Sequence, residues 1–415
     1  MTIDSKILNF DHLFRDEAKK MIAVLTKIYG FHRIDEVEDI VQETFITAYE
    51  TWKLKGYPEH PNRWLFAVAK NKIINNLKRE KKYDDILNSQ SSVLPIEYSV
   101  ISNLEEGQAT IKDTQLQMMF SICHPSIPEE SQVALALRSL CAFSIDEIAN
   151  AFLTNKETIN KRLYRAKEKI KEENIRLQFP DTEKLNERLE SVLKIIYLLF
   201  NEGYYSRTNE TIFRKDLCLD AMKMGLLLID FPLTNTSQVN ALMAIMCYHS
   251  SRFSSRVSDS GGIISLEEQD RSLWSKELIA QGNYFLSKSI TEEPIGEYAI
   301  QALIAWNHTE PDTPIKWNRL LTLYNNLQKI YFSPIVELNR AYVLGKCGFE
   351  QEAIQNLLEN FAEKEDCYYH ITLANLYLKF DREKSKIHLM RALELTKTDS
   401  EKKMIQKKYK TLIPL

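Results

Sequence analysis

Residues able to grip charged partners crowd one stretch of this chain, Asp35 to Lys82. From Asp35 to Glu50 six acids (Asp35, Glu36, Glu38, Asp39, Glu43 and Glu50) stand without a base among them. From Lys53 to Lys82 nine bases against two acids leave a net +7. All 415 residues together carry only −3, so the charge is sorted locally. An acidic helix can hold a basic protein, and a basic aromatic helix can hold a phosphate backbone. Lys70, Asn71, Asn75, Lys78 and Arg79 recur at three- and four-residue spacing and share a helix face. Lys and Arg neutralise phosphates, while Asn reaches base edges. Trp64 and Tyr57 offer rings on which an unpaired base can stack. Alone, such a helix also reads as a solvated cationic face over a core Trp.

A second constellation runs from Ser144 to Lys171. Ser144 caps a short helix with Glu147 three residues on, the capping-box spacing. After a break at Leu153-Thr154-Asn155, Lys156 to Lys171 continues as a helix with seven bases against two acids, a net +5. Sixteen residues extend about 24 Å, enough to lie along a major groove. Ile148, Ala149, Ile159, Leu163 and Ala166 would close the angle between the two helices. The pattern is a helix-turn-helix with a polar, basic exposed face. An ordinary helical hairpin is the alternative, and the turn lacks the usual Gly.

Catalytic sets are not visible. No phosphate-binding Gly loop, zinc-protease motif or nucleophile elbow occurs, and the eight His are dispersed. The chain reads as a non-enzyme without cofactors. The six Cys at 123, 141, 218, 247, 347 and 367 form no C-x-x-C pair. They read as reduced, buried small hydrophobes, and Cys123-His124 lacks a partner pair for zinc, so no metal is expected. Asp259-Ser260-Gly261-Gly262 marks a tight turn. Arg252 and Arg256 precede it, and Glu267, Glu268, Asp270 and Arg271 follow. That cluster reads as a docking surface, a small-molecule pocket or a plain polar loop.

The positioning elements are helices. Only 11 Gly and 12 Pro interrupt the chain, which favours an all-α fold. Leu13, Ala18, Ile22, Leu25 and Tyr29 form one stripe ended by Gly30. Val37, Ile40, Val41, Phe45 and Ala48 form the next. Asn62 is the expected N-cap of a helix from Arg63 that leaves through Lys82. Residues 9–82 make a first unit, 83–113 a linker, 114–176 a second unit and 181–415 a third, with the junction at Phe179-Pro180-Asp181. In the third unit Ala341 and Ala374 lie 33 residues apart, as do Gly348 and Asp381. That spacing suits tetratricopeptide-type hairpins, in which Ala353 and Leu357 would correspond to Lys386 and Met390. An unspecialised bundle is the other reading. Asp4, Asp11 and Asp16 interrupt the start and argue against a signal peptide. No apolar run of about 18 residues exists to span a membrane. The expected location is cytoplasmic.

Several stretches point to a family. Glu38-Asp39-Ile40-Val41-Gln42-Glu43-Thr44-Phe45, Trp64-Leu65, Ala69-Lys70-Asn71 and Lys78-Arg79 resemble sigma region two of bacterial extracytoplasmic-function sigma factors. Ile127-Pro128-Glu129-Glu130 through Arg138, then Ser144 to Lys169, resembles their region four. Further stretches are similar to a subgroup with a long tetratricopeptide-like C-terminal extension. They are Cys123-His124-Pro125, Tyr197 to Tyr204, Arg214 to Cys218, Gln269 to Trp274 and Ser333 to Ala341. The resemblance implies that Asp35, Glu38, Asp39, Gln42, Glu43 and Phe45 dock on core RNA polymerase, at the β′ clamp helices, with the β flap as a further contact. It implies that the Lys53–Asn62 loop with Arg63, Trp64, Lys70, Asn71, Asn75, Lys78 and Arg79 opens and reads the minus-ten promoter element. Lys156, Thr158, Asn160, Lys161, Arg162 and Arg165, within Lys156 to Lys167, would read the minus-thirty-five element. The C-terminal part would regulate in cis or bind a protein or peptide ligand. The family usually has Asp where Asn75 stands and Arg where Lys78 stands, and its Asp-Gly-Gly-Ala turn appears as Asp259-Ser260-Gly261-Gly262-Ile263. A helical-repeat scaffold binding nucleic acid non-specifically is the alternative from another class.

Overall fold

The first helix, α1 (Ile3–Tyr29), ends at Gly30, whose φ of 106° carries the chain out of helical conformation. Helices α2 (Ile34–Lys55) and α3 (Pro61–Leu87) follow. Then come α4 (Gln108–Ile122), α5 (Glu129–Leu140), α6 (Ile145–Ala151), α7 (Lys156–Glu172) and α8 (Leu185–Tyr204). The computed structural model describes residues 3–87, 108–152, 154–204, 214–256, 264–291, 295–361 and 366–396, with 402, 403, 405, 406 and 409. The fold is all-α, and no strand occurs among the described residues. The chain divides into two compact units, residues 1–199 and 200–415.

In the first unit α1 packs against α2 and also against α4 and α5, so the two sequence-defined parts, 9–82 and 114–176, share one body. Ala18, Ile22, Leu25 and Tyr29 of α1 and the whole expected stripe of α2 are buried. Three boundaries differ from expectation. Helix α3 starts at Pro61, not Arg63, because a proline at the first helical position loses only an N–H that has no partner there. It continues past Lys82 to Leu87, since no Gly or Pro stands before Pro95. Helix α4 begins six residues before Thr114, in a polar first stretch with no apolar stripe to announce it. Most of the expected linker, 88–107, lies outside the described residues. Arg188 of α8 donates to the Phe120 carbonyl, and Lys194 pairs with Glu129 at 2.5 Å. The helix after the expected junction at 179–181 therefore packs on the first unit before the division at Leu199.

The second unit opens with α9 (Lys215–Asp230), α10 (Ser237–Ser250), α11 (Lys276–Ser289) and α12 (Glu297–Thr309). Helix α10 is buried on almost every side, and α9, α11 and α12 pack around it. Its Thr236 cap accepts from the Val239 N–H. Gly282 of α11 lets the Tyr248 ring approach so closely that a Cβ there would lie 2.7 Å from Cε1. Helices α13 (Pro314–Ile330), α14 (Pro334–Lys346), α15 (Glu350–Asn360), α16 (Cys367–Tyr377) and α17 (Arg382–Leu395) continue as consecutive antiparallel neighbours.

The repeat register differs from the sequence reading in its second helix. Ala341 and Ala374 are both buried, 33 residues apart. The buried partner of Ala353 is Ser385, not Lys386, and that of Leu357 is Leu389, not Met390. Both pairs are 32 apart. Lys386 and Met390 are exposed. The first hairpin holds one more residue, and its turn uses Gly348 at φ 89°, a left-handed conformation that glycine adopts freely. Ser385 reaches the Ala374 carbonyl at 2.8 Å, which satisfies its hydroxyl inside the hairpin.

Candidate nucleic-acid and protein-docking surfaces

Helix α2 turns Val37, Ile40, Val41, Thr44, Phe45 and Ala48 inward. Asp35, Glu36, Asp39, Gln42, Glu43 and Glu50 remain exposed on the other faces. Glu43 receives Lys72 of α3 at 2.8 Å, so part of the acidic surface is neutralised by the neighbouring basic helix. Phe45 is a core residue, not a surface contact: its ring packs edge-on against Phe14, with centroids 4.8 Å apart, and against Phe10. Glu38 is only 4% exposed. It lies four residues after Ile34 and three before Val41, on the buried stripe itself. A carboxylate there must be paired, and the partners come from 100 to 129 residues away. Ser139 Oγ donates at 2.8 Å, Arg138 Nε at 3.4 Å and Lys167 Nζ at 3.4 Å. Lys167 also pairs with Asp35. Glu38, expected among the open docking carboxylates, is instead a buried, paired carboxylate, because its position falls on the inward stripe and its partners lie too far along the chain for spacing to find them.

Helix α3 buries Leu65, Ala69 and Ile73. Arg63, Asn71, Asn75, Lys78 and Arg79 are exposed, and Lys70 is half-buried. At the α2–α3 junction Trp52, Tyr57 and Trp64 form an aromatic cluster. Trp52 lies 4.8 Å from Tyr57 and 5.3 Å from Trp64, centroid to centroid. Trp64 is half-buried in it, Tyr57 is 45% exposed, and Leu54 beside them is 87% exposed. The tip is thus apolar and open to solvent, while cations line the helix behind it. Arg33 ties the base of this half together, reaching Glu80 at 2.9 Å and lying over the Tyr29 ring. Burial and the hydrogen bond to Glu36 push the Tyr29 phenol up to about 12.

Ser144 and Glu147 make the reciprocal capping box, with bonds of 3.2 and 2.8 Å. Asn155 caps α7, accepting from the Thr158 N–H at 2.8 Å. Ile148, Ala149, Ile159, Leu163 and Ala166 are buried between α6 and α7. Lys156, Asn160, Lys161, Tyr164 and Arg165 project outward, while Thr158 and Arg162 are half-buried. Lys156 pairs with Asp146 at 2.5 Å and Arg162 with Glu130 at 2.8 Å. Lys161 and Arg165 are therefore the α7 cations most free to meet a phosphate.

Cys123 and His124 serve the α4–α5 turn. Burial pushes the Cys123 thiol up to about 12, and His124 Nδ1 meets Ser126 Oγ at 2.6 Å. Gln132 donates to the His124 carbonyl at 3.0 Å. Among the described residues no group of three or more His, Cys, Asp or Glu side chains could hold a metal ion. Cys347 and Cys367 are only partly buried; the other four Cys are buried, and all six are free thiols. The Asp259–Ile263 turn lies outside the described residues. The charges flanking it disperse. Arg252 donates to Tyr204 Oη at 2.7 Å, and Arg256 donates to the Tyr204 carbonyl at 2.9 Å. Glu267 pairs with Lys346 at 2.6 Å, and Arg271 donates to the Glu310 carbonyl at the end of α12. No described helix is long and apolar enough to cross a membrane.

The Sigma-70 region 2 family matches residues 13–83, and a family of unknown function, DUF6596, matches residues 188–290. An uncharacterized protein of Rhizobium meliloti (strain 1021) is 31% identical over 352 residues, covering 82% of this chain and 80% of its own length. The ECF RNA polymerase sigma-E factor of Haemophilus influenzae is 27% identical over 168 residues, 39% of this chain and 85% of that protein. The RNA polymerase sigma-H factor of Pseudomonas aeruginosa is 23% identical over 164 residues, 39% of this chain and 83% of that protein. No solved structure matches the chain. The Sigma-70 region 2 match runs from α1 into α3, and DUF6596 begins inside α8. The chain belongs to the extracytoplasmic-function sigma factors of the sigma-70 family, in a form with a long C-terminal extension, and acts in transcription initiation.

Proposed function

We propose that this chain binds core RNA polymerase through the acidic face of α2 and promoter DNA through α3 and α7. Asp35, Glu38, Asp39, Gln42 and Glu43 meet basic residues of the polymerase clamp. Arg63, Lys70, Asn71, Asn75, Lys78 and Arg79, with the Trp52–Tyr57–Trp64 tip, engage the minus-ten element. Lys156, Thr158, Asn160, Lys161, Arg162 and Arg165 engage the minus-thirty-five element. The observation that carries this reading is the exposure of opposite charge on adjoining helices: Asp35, Asp39 and Glu43 on α2, with Glu38 buried beneath them, cations and amides on α3, and an open aromatic tip where they meet. Charge reversal at Asp39 and Glu43 tests it. Holoenzyme assembly should drop at least tenfold while DNA binding by the free chain holds. Unchanged assembly would refute the docking face.

The extension from residue 181 regulates the sigma portion in cis, through its own fold or a bound protein or peptide. What supports this is its size and its separate cores, which go beyond what promoter reading requires. Transcription with core polymerase and a chain ending after Tyr204 tests it. The cut belongs there and not near Phe179, because Arg188 and Lys194 of α8 hold α4 and α5. Equal promoter output and equal polymerase binding from full-length and shortened chains would rule out regulation in cis.

A further inference from the structure

Two stretches of the extension, one ending at Tyr204 and the other running from Gln269 to Trp274, come together at Arg252. Arg252 Nη2 donates to Tyr204 Oη at 2.7 Å and meets His249 Nδ1 at 2.8 Å, and its guanidinium lies 5.8 Å from the centre of the Trp274 ring. The guanidinium of Arg271 lies 5.2 Å from the same ring centre. Arg271 also donates to the Glu310 carbonyl at 2.8 Å, and Lys316 Nζ reaches that same carbonyl at 3.2 Å. Three cations thus run from Tyr204 to the end of α12. The acids nearest Arg271 in the chain are engaged elsewhere: Glu267 with Lys346, Glu268 with the Ser265 hydroxyl and Asp270 with the Ser272 N–H. Among the described residues no carboxylate forms an ion pair with Arg252, Arg271 or Lys316.

We propose that Arg252, Arg271, Lys316 and Trp274 form a binding site for the oxyanion of a small molecule, a carboxylate or a phosphate. This goes beyond regulation in cis and does not depend on it. Three observations carry it. Lys316 is 4% exposed, and its ammonium, with three N–H groups, finds a single acceptor, a neutral carbonyl. A charge so buried is ordinarily paired. Arg252 uses one nitrogen for both of its hydrogen bonds, so Nη1 and Nε keep their N–H groups for a ligand. Trp274 is 5% exposed, and its Nε1–H has no acceptor among the described residues. An oxyanion between these groups supplies the missing charge and the missing acceptor, and a guanidinium fork matches carboxylate and phosphate alike. The carbonyl end of α12 offers only about half a negative charge, less than three cations need. The surroundings register that excess. His308 is held down to about 3, first by burial and then by Arg252, Lys316 and Arg271. Glu310 and Asp312 favour the Lys316 ammonium, but burial and Arg271 outweigh them and lower its pKa. Arg271 is exposed and Arg252 half-buried, so a ligand has a way in from solvent. The donors gather around one indole and one helix end rather than along a groove, which suits a small molecule better than an acidic peptide.

Calorimetric titration of the full-length chain with inorganic phosphate and, separately, with citrate tests this, with ionic strength held constant by sodium chloride. At least one of the two should bind saturably, at one site per chain, and the tighter of them tells a phosphate ligand from a carboxylate. Arg252→Gln and Arg271→Gln should each weaken that binding by about tenfold or more, as loss of a charge-assisted bond does. Lys276→Gln, which removes an exposed cation outside the cluster, should leave it unchanged. Trp274→Phe keeps a ring and removes the N–H. It should weaken binding severalfold while the ligand-free melting temperature holds, so the test survives an arginine variant that fails to fold. Absence of saturable binding by either anion overturns the site. Binding that Arg252→Gln, Arg271→Gln and Trp274→Phe all leave intact overturns it too and marks an adventitious ion only. A hexaglutamate peptide that binds more tightly than both small anions would overturn the small-molecule assignment. Since the readout is binding to the free chain, failure here leaves regulation in cis standing, and equal promoter output from full-length and shortened chains leaves the anion site standing.

Discussion

Single residues carry strain and charge that the sequence shows only by type. Ala142, between α5 and α6, sits at φ 58°, where a side chain costs roughly 1–2 kcal/mol and glycine almost nothing. After the entropy that glycine adds to the unfolded chain, Ala142→Gly should still stabilise the protein by about 0.5–1 kcal/mol. Urea unfolding midpoints of the two chains check this. His308 of α12 is a second case. Burial and the nearby charges of Arg252, Lys316 and Arg271 lower its pKa from 6.5 to about 3. Between those values the unfolded chain binds a proton that the folded chain refuses. Stability should therefore fall as pH drops below about 6.5, with a slope of up to about 1.4 kcal/mol per pH unit from this group. His308→Gln should flatten the difference between unfolding midpoints at pH 7.5 and 5.5. Both residues look ordinary in the sequence: an alanine between helices and a histidine in an apolar helix. Their states come from a turn geometry and from neighbours far along the chain.

Elements were more legible than their edges and their long-range partners. The stripe of α2 and the closure of α6 on α7 follow from 3.6-residue periodicity, and the buried residues are those the pattern names. The cap at Ser144 was legible because a capping box is local chemistry. The start of α3 was not, because Asn62 and Pro61 both offer plausible first turns and the proline is tolerated inside the helix. The hairpin repeat was read one residue out of register, since a turn residue can be gained without disturbing either helix. That correction is testable. Ser385 is fully buried and Lys386 is exposed. Lys386→Ala should stay within about 0.5 kcal/mol of the parent, as exposed substitutions usually do. Ser385→Leu should cost about 1–3 kcal/mol by overpacking the α16–α17 hairpin. Equal costs at the two positions would restore the 33-residue register. Within the candidate sites, the exposed acids of α2 and bases of α3 and α7 were legible from charge alone. The burial of Glu38 was not read from the sequence, which set it among the docking carboxylates, because Arg138, Ser139 and Lys167 lie too far along the chain for spacing to find them.

At the scale of the whole molecule, the near-neutral total hides surfaces that act through charge. A chain of net −3 approaches a phosphate backbone only if its cations are gathered and its acids are turned elsewhere. Here every acid of α2 from Asp35 to Glu50 except the buried Glu38 is exposed, and one of them already quenches Lys72, while Lys78 and Arg79 of α3 stand exposed. DNA binding should therefore be steeply salt-dependent although the chain as a whole is slightly acidic. Each cation that truly neutralises a phosphate contributes about 0.9 to the slope of log affinity against log salt concentration on duplex DNA, and about 0.7 on single strands. Lys78→Gln, measured in the polymerase-bound form on promoter DNA, should reduce that slope by about that amount and weaken all sequences alike. Asn75→Asp should act differently if the proposed DNA face is right: a carboxylate among the exposed cations of α3 would repel a phosphate backbone, and an acceptor would replace a donor towards base edges. The expected result is a lower affinity together with a changed ranking of promoter variants. If Asn75→Asp weakened every promoter equally, Asn75 would face the backbone rather than the bases, and base reading on α3 would rest on its other exposed residues.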